Sequence, residues 1–337
     1  HCVDTLADNP KTTAMVSLTP VAHLITRLTP ALLLLLAMPA QAQWQQQDWD
    51  VMGTRASVTL WSEQDAAPLF DALKEEMARL NALLSPWVES SELARVNAHA
   101  GETTQTISLE FYQLLVRSLD YYQLTDGAFD ITFASAGHLY DYRKGKAPDD
   151  SELAAANQHI GADRIELTAP DKVRFRDPGT RIDLGGIAKG YAIDQGIALL
   201  KEAGVRHAYL SLGGDSYVLG DHRGRPWEVG IQHPRSKKDI AMKLPMANLA
   251  MSTSGDYQRY FIQDGRRIHH ILSPKTGKSI DGLASVTNSI DADALSTSVF
   301  VLGAEQGLAL INRLPGTSAI IIDREGNVTY SDDLTGG

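Results

Sequence analysis

The sequence predicts an α+β fold of mixed sheets and helices. Three observations predict it. Helical and strand spacings alternate irregularly, short turn segments join several strand pairs, and no repeat or low-complexity linker divides the chain. With 337 residues, 43% hydrophobic and 21% charged, the chain suffices for one large domain or two closely packed ones.

Residues 1–14 precede Met15 and are set aside as an upstream extension. Residues 15–42 read as a signal peptide: Arg27 supplies charge, Ala31–Met38 is a short apolar core, and Ala40-Gln41-Ala42 fits a small-residue cleavage rule. The apolar run is well short of the roughly 20 residues of a membrane span. Cleavage after Ala42 leaves 43–337 as the mature domain, bound for a bacterial periplasm. It removes Cys2, the only cysteine, so disulfides, thiolate nucleophiles and Cys-ligated metals are excluded from that domain. No cysteine follows the cleavage position, which excludes lipidation there. The formal charge of −10, without a basic block, argues against a nucleic-acid partner and does not favour anionic lipid.

Residues 55–62 alternate as a strand through Ala56, Val58 and Leu60. Helical spacing follows over 66–84 and over 108–124, with Ser108 placed as N-cap of the second helix. The segment 143–150 reads as a loop, and Ile165–Leu167 and Val173–Phe175 as a hairpin around Pro170. A helix over 187–203 ends at Gly204, and strands follow near 207–212 and 227–231. Gly213-Gly214-Asp215 reads as a structural turn after the first of these. Residues 292–302 and 304–313 are helical, split by Gly303, and a final hairpin pairs Ala319–Ile322 with Val328–Tyr330.

The segment from Arg181 to Asp194 carries the most chemistry. An apolar lead-in ends at Asp183, Gly185 and Gly186 turn the chain, and a helix follows with Lys189 one turn in. Without a Cβ, backbone comes close to a ligand, and the start of a helix favours an anion. This is the layout of a phosphate site, although the same turn serves as plain structure elsewhere. It is neither the GxGxxG fingerprint nor a P-loop. Asp293 and Thr297, four apart on a helix, share one face and offer hard oxygens of the kind Mg²⁺ takes; on spacing alone they read as a cap and a back-bonding hydroxyl. His270 is either a strand histidine or a base for a hydroxyl. Trp87 is either a partly buried residue after Ser85-Pro86 or a platform for an aromatic ring.

Further stretches accompany that segment in a fixed order: Met52-Gly53-Thr54, Gly127-Ala128-Phe129-Asp130-Ile131-Thr132, Ser252-Thr253-Ser254-Gly255-Asp256-Tyr257, His270-Ile271-Leu272-Ser273-Pro274-Lys275-Thr276-Gly277 and Asp293-Ala294-Leu295-Ser296-Thr297. Together they resemble the ApbE family, the FAD:protein FMN transferases, from about Met52 to Tyr330. The resemblance implies two intimately packed lobes around a cofactor cleft. It implies cofactor contacts at Met52, Trp87, Ala128, Phe129, Asp130, Asp183, Lys189 and Ile271. It implies Mg²⁺ at Asp293, Thr297 and a backbone carbonyl of the Gly-Gly turn, from Gly186 or else Ala188, with Asp291 as a second acidic neighbour. His270 becomes the base acting on the acceptor hydroxyl, with the adjacent His269 leaving the register open by one. Thr253-Ser254-Gly255 shapes the cleft wall. Most relatives carry Asp where this chain has Ser273, so a carboxylate role there is in doubt, and some are lipoproteins.

Two readings follow. One is an enzyme that splits the FAD pyrophosphate and moves FMN to a Ser or Thr hydroxyl of an acceptor protein, releasing AMP; with water as acceptor the same site is an FAD pyrophosphatase. Family acceptors are membrane-bound redox subunits, such as those of Na⁺-pumping NADH:quinone reductase. The other is a non-catalytic periplasmic FAD-binding protein, against which the joint presence of Asp293, Thr297 and His270 argues.

Overall fold

The computed structural model describes residues 42–236, 238–288 and 292–335. The extension 1–14, the signal segment up to residue 41 and Asp291 lie outside the described residues.

The described chain opens with a hairpin, β1 (Gln43–Val51) and β2 (Thr54–Ser62), turning through Met52 and Gly53, both in the left-handed region at φ 51 and 71. Two such residues match the twist of a two-residue hairpin. Next comes α1 (Ala67–Leu84), which buries Phe70, Leu73, Met77, Leu80 and Leu84 on one face. Helix α2 (Glu92–His99) begins at Ser91, whose hydroxyl accepts from the Ala94 N–H. A short β3 (Gln105–Thr106) leads to α3 (Leu109–Leu124), where Ser108 is the N-cap, accepting from the Phe111 N–H at 3.3 Å. A single 3₁₀ turn at Ile131–Phe133 runs into α4 (Ala134–Gly137), followed by α5 (Asp150–Asn157).

Strands β4 (Ile165–Thr168) and β5 (Lys172–Phe175) form a three-stranded sheet with β3. Helix α6 (Ala188–Glu202) precedes β6 (Ala208–Leu212), β7 (Asp215–Leu219), β8 (Trp227–Gln232), β9 (Ile240–Met246) and β10 (Leu249–Gly255). Then come β11 (Tyr260–Gln263), β12 (Arg266–His269) and β13 (Leu283–Asn288). Helices α7 (Ala292–Leu302) and α8 (Ala304–Ile311), strands β14 (Ala319–Asp323) and β15 (Val328–Tyr330), and α9 (Asp332–Thr335) complete the order.

The main sheet runs β1-β2-β6-β7-β10-β13-β14-β15, with each neighbouring pair antiparallel. One face carries Ala56, Val58, Leu60, Leu210 and Leu212 into a core shared with α1, α6 and α7. The other face packs Val218, Met251 and Ile320 against Trp227, Val229 and Ile231 of the β8–β9 hairpin. Each fully buried aliphatic chain is worth about 1.5–3 kcal/mol, so these two layers fix where β7, β10, α6 and α7 meet. Their meeting point is the site.

The fold class is the α+β one expected, and the expected helices and hairpins stand within a residue or two of their places. Several elements exceed the expectation. β1 is Gln-rich with little apolar alternation, and as an edge strand it needs little. The 143–150 loop holds only to Asp149, whose carboxylate opens α5 as a capping box with Glu152.

Candidate active site

The chain enters the site at Asp183, whose N–H donates to the Ile131 carbonyl at 2.9 Å. Asp183 Oδ1 accepts from the Gly185 N–H at 2.6 Å, which closes the Gly-Gly turn on the carboxylate. The Leu184 carbonyl then accepts from Ile187 and Ala188 as α6 starts. In an unbroken helix the Gly190 N–H would return to Gly186. It donates instead to Asp293 Oδ2, at 3.0 Å, on the first turn of α7. Among the described residues no backbone N–H donates to the Gly186 carbonyl. Ala188, as the first residue of α6, has its carbonyl directed into the helix ladder, so Gly186 is the better source of a free carbonyl.

Neither glycine is there for a left-handed backbone; both are there for space. A Cβ on Gly186 would lie 3.1 Å from Phe129 Cε2 and 3.5 Å from Thr297 Oγ1. One on Gly190 would lie 2.9 Å from Asp293 Cβ. The turn is pressed against Phe129, Asp293 and Thr297 together, which the sequence places far apart.

Lys189 lies between two buried carboxylates. Its ammonium pairs with Asp215 and reaches Asp293 Oδ1 at 3.2 Å. Burial disfavours the charge on Lys189, but Asp215 and then Asp293 outweigh it and hold the lysine protonated. Burial and the nearby Asp215 push Asp293 up, against the pull of Lys189 and the Gly190 N–H. Two carboxylates against one ammonium leave the cluster one positive charge short. The donors beside it are a carboxylate, a hydroxyl and a free carbonyl, all hard oxygens, and they fit Mg²⁺. Thr297 belongs to a hydroxyl group with Ser254, 3.5 Å from its Oγ1, and Ser254 meets Ser296 at 2.7 Å, while Thr253 bonds Thr287 at 3.0 Å.

The two histidines separate cleanly. His269 is fully buried; its Nε2 meets the Ile280 carbonyl at 2.7 Å, its Nδ1 faces the Ile271 N–H at 3.3 Å, and the ring packs edge-on against Phe300. Both ring nitrogens are used, which makes it a structural residue. His270 is held only through its backbone N–H, to the Arg259 carbonyl at 3.1 Å, and its buried Nδ1 has no hydrogen-bond partner among the described residues. Burial, then the neighbouring Arg259, His269 and Lys189, depress the His270 imidazole to about 3, so the ring is neutral. Asp256, another carboxylate near this segment, is engaged by Arg235 at 2.7 and 3.1 Å and by Arg267 at 3.0 Å, and is no free base.

Arg259 ties the remaining parts together. Its guanidinium donates to the Gly53 carbonyl at 3.2 Å, beside Met52, and its charge acts on both Asp183 and His270. Asp183 itself is pushed up by burial. Asp130 is buried and pushed up by that burial, with Oδ1 accepting from the Thr132 N–H at 2.8 Å. It therefore braces the strip that carries Ala128 and Phe129, both buried, and Phe129 lies edge-on to Tyr121. Ile271 is buried in the main core. Ser273 takes a turn position, accepting from the Lys275 N–H. Trp87 stands apart: it is 81% exposed and makes no hydrogen bond or ring contact with this group among the described residues.

Two residues of the site went unnoticed in the sequence. Asp215, read as part of a turn, is buried on the Lys189 ammonium, and Arg259 gave no spacing signal. The one available hint was an acidic residue directly after Gly213-Gly214 at the head of a strand.

The model of the ApbE family matches residues 52–321. A Treponema pallidum protein named FAD:protein FMN transferase is 32% identical over 308 residues, covering 83% of this chain and 85% of that protein. A Haemophilus influenzae protein of the same name is 32% identical over 273 residues, 76% of this chain and 78% of its own. Among solved structures, an ApbE protein from Thermotoga maritima superimposes with a TM-score of 0.81 at 30% identity, over 87% of this chain and 98% of that one. The flavin transferase ApbE from Vibrio cholerae superimposes at 0.79 with 25% identity, over 88% and 99%.

Proposed function

The chain belongs to the ApbE family and is a flavin transferase, and we propose that it moves FMN from FAD to a Ser or Thr hydroxyl of an acceptor protein, in a Mg²⁺-dependent reaction that releases AMP. One observation carries the reading: the Gly185-Gly186 turn, the face of Asp293 and Thr297, and Lys189 converge on a cluster of hard oxygens in which two carboxylates share one ammonium.

Asp293, Thr297 and the Gly186 carbonyl would hold Mg²⁺, and Lys189 stands beside them. When bound, the metal neutralises phosphate charge as the leaving group departs. The Gly-Gly turn packs directly on Phe129 and Thr297, where a Cβ would not fit, and so brings its backbone, and with it the diphosphate, beside the metal ligands. Lys189 offers its ammonium to phosphate oxygens, and Arg259 stands by Met52 and Gly53, donating to the Gly53 carbonyl. His270 takes the proton of the acceptor hydroxyl as its oxygen attacks the FMN-side phosphorus. The new O–P bond forms there, the pyrophosphate bond breaks, and AMP leaves with the bridging oxygen. Burial first, and then Arg259, His269 and Lys189, depress the proton affinity of His270 in the cofactor-free site; a diphosphate beside Arg259 and Lys189 offsets the part of that shift those two cations cause.

An acceptor of the membrane-bound redox class and a periplasmic address are parts of the same reading, the second carried by residues 15–42. N-terminal sequencing of periplasmic material that still carried those residues would remove the address. The activity is tested by mass spectrometry of such an acceptor domain after incubation with FAD, Mg²⁺ and this protein. A mass increase of one FMN on Ser or Thr, with AMP released in equal amount, is expected. AMP release without acceptor labelling would make the protein an FAD pyrophosphatase, and neither would leave a binding protein.

A further inference from the structure

Asp215 heads β7, fixed in register by Leu212 on β6 and Ser252 on β10. It is 3% exposed. One carboxylate oxygen pairs with the Lys189 ammonium, and the other, Oδ1, is buried without a hydrogen-bond partner among the described residues. Half-satisfied buried carboxylates are costly and call for a reason. Lys189 also touches Asp293 Oδ1, so a single ammonium serves two carboxylates of unequal standing. Among the described residues Asp215 has no other ion-pair partner, whereas Asp293 has the Gly190 N–H and stands beside Thr297 and the Gly186 carbonyl.

We propose that Asp215 is a positioning residue: it retains the Lys189 ammonium when a divalent cation takes over Asp293. The inference rests on the reading of Asp293, Thr297 and Gly186 as cation ligands. Two cations on one carboxylate repel, so Lys189 competes with the metal for Asp293. Asp215 gives the lysine a second anchor on a rigid central strand. The ammonium stays within the site, free of Asp293 and turned to the phosphates, and the metal finds its ligand vacated. In the metal-free protein the same ammonium spans both carboxylates and keeps them from repelling.

The test is a set of variants titrated with Mg²⁺ alone, the dissociation constant being read from the rise in melting temperature and from calorimetry. Asp215→Asn keeps the shape and removes the anchor, leaving Lys189 on Asp293. Its Mg²⁺ dissociation constant should rise tenfold or more. In a Lys189→Gln background the competitor is gone, and adding Asp215→Asn should change the constant less than threefold. Lys189→Gln alone should tighten Mg²⁺ binding several-fold while lowering the metal-free melting temperature, and it carries the test should Asp215→Asn fail to fold. Unchanged Mg²⁺ affinity in Asp215→Asn or in Lys189→Gln overturns the proposal. An equal loss from Asp215→Asn with and without Lys189 also overturns it, because the carboxylate then acts on the cation directly. Absence of Mg²⁺ binding to the unaltered protein, by contrast, takes down the ligand assignment itself.

Discussion

The Gly190 N–H donates to Asp293 Oδ2 at 3.0 Å, and with that bond the first turns of α6 and α7 become one unit. The bond removes a donor from the α6 ladder and leaves the Gly186 carbonyl to other uses. It also satisfies one oxygen of a buried carboxylate while the other meets Lys189. A backbone amide, a carboxylate and an ammonium thus set the orientation of Asp293 before any ligand arrives. Preorganisation of this kind is what makes a charged site effective.

Asp293→Asn should abolish metal-dependent chemistry without unfolding the protein. It removes one of two carboxylates that share one ammonium, and the remaining Lys189–Asp215 pair is balanced in charge. AMP formation from FAD should fall by about 10²-fold or more, the order expected when several kcal/mol of metal stabilisation are lost. The metal-free melting temperature should hold or rise. Retained AMP formation would refute the ligand assignment.

Gly186→Val should weaken FAD binding by crowding. A Cβ at 3.1 Å from Phe129 already requires that ring to yield, and the valine methyls add to the contact with Thr297. Overpacking of this sort costs about 1–3 kcal/mol of stability, and the displaced turn and Phe129 ring weaken FAD binding as well. Gly186→Ala should show a smaller loss of the same kind. Fluorescence titration with FAD measures it, and equal affinity in all three proteins would move the diphosphate elsewhere.

Much of this was legible from periodicity. The apolar spacings of α1, α3 and α6, and the glycine turn before α6, report directly on burial and backbone. The site was legible only as a set of separate stretches, because Asp293 reaches Gly190 across 103 positions and only the packed sheet brings them together. Asp215 was hidden by its neighbours: two glycines made it read as a turn, although the carboxylate faces Lys189. The choice between His269 and His270 could not be made from sequence either. His269 closes β12 and His270 lies just past its end, and only the packed core shows which ring is engaged.

Trp87→Ala should leave stability within about 0.5 kcal/mol, because the side chain is 81% exposed and packs on nothing in the core. If the indole stacks on a ring of FAD, the loss in affinity should be about 1–3 kcal/mol, the usual worth of an aromatic platform under a base. FAD titration alongside a melting curve separates the two. Unchanged affinity would remove Trp87 from the cofactor site.

Acid should destabilise the fold through its two adjacent imidazoles. Burial lowers both His269 and His270 relative to an unfolded histidine near 6.5. Below that pH the unfolded chain binds protons that the folded chain refuses, so stability is fully present above about 6.5 and is lost as pH falls. For His270 the loss continues towards about 3. Each ring contributes at most about 1.4 kcal/mol per pH unit. From pH 7.5 to pH 5 the unaltered protein should lose more unfolding free energy than His270→Gln does, a comparison that cancels most carboxylate contributions. A constant difference would show that the ring is solvated.

The last prediction separates the two histidines by what each loses. His269 uses both ring nitrogens and packs on Phe300, so His269→Ala opens a cavity and leaves the Ile280 carbonyl unpaired. A cost of about 2–4 kcal/mol in stability follows. Any fall in activity should track the unfolded fraction and recover at lower temperature. His270 is held by a hydrogen bond through its backbone N–H alone, its buried Nδ1 has no partner among the described residues, and Lys189 and Arg259 act on its ring. His270→Ala should therefore melt nearly as the unaltered protein does and bind FAD and Mg²⁺ as before. Transfer to the acceptor should fall by roughly 10²–10⁴, the usual worth of a general base. Added imidazole should restore part of the rate in His270→Ala and none in His269→Ala. Were the transfer rate to survive His270→Ala, proton removal would pass to solvent, since Asp256 is already engaged by Arg235 and Arg267.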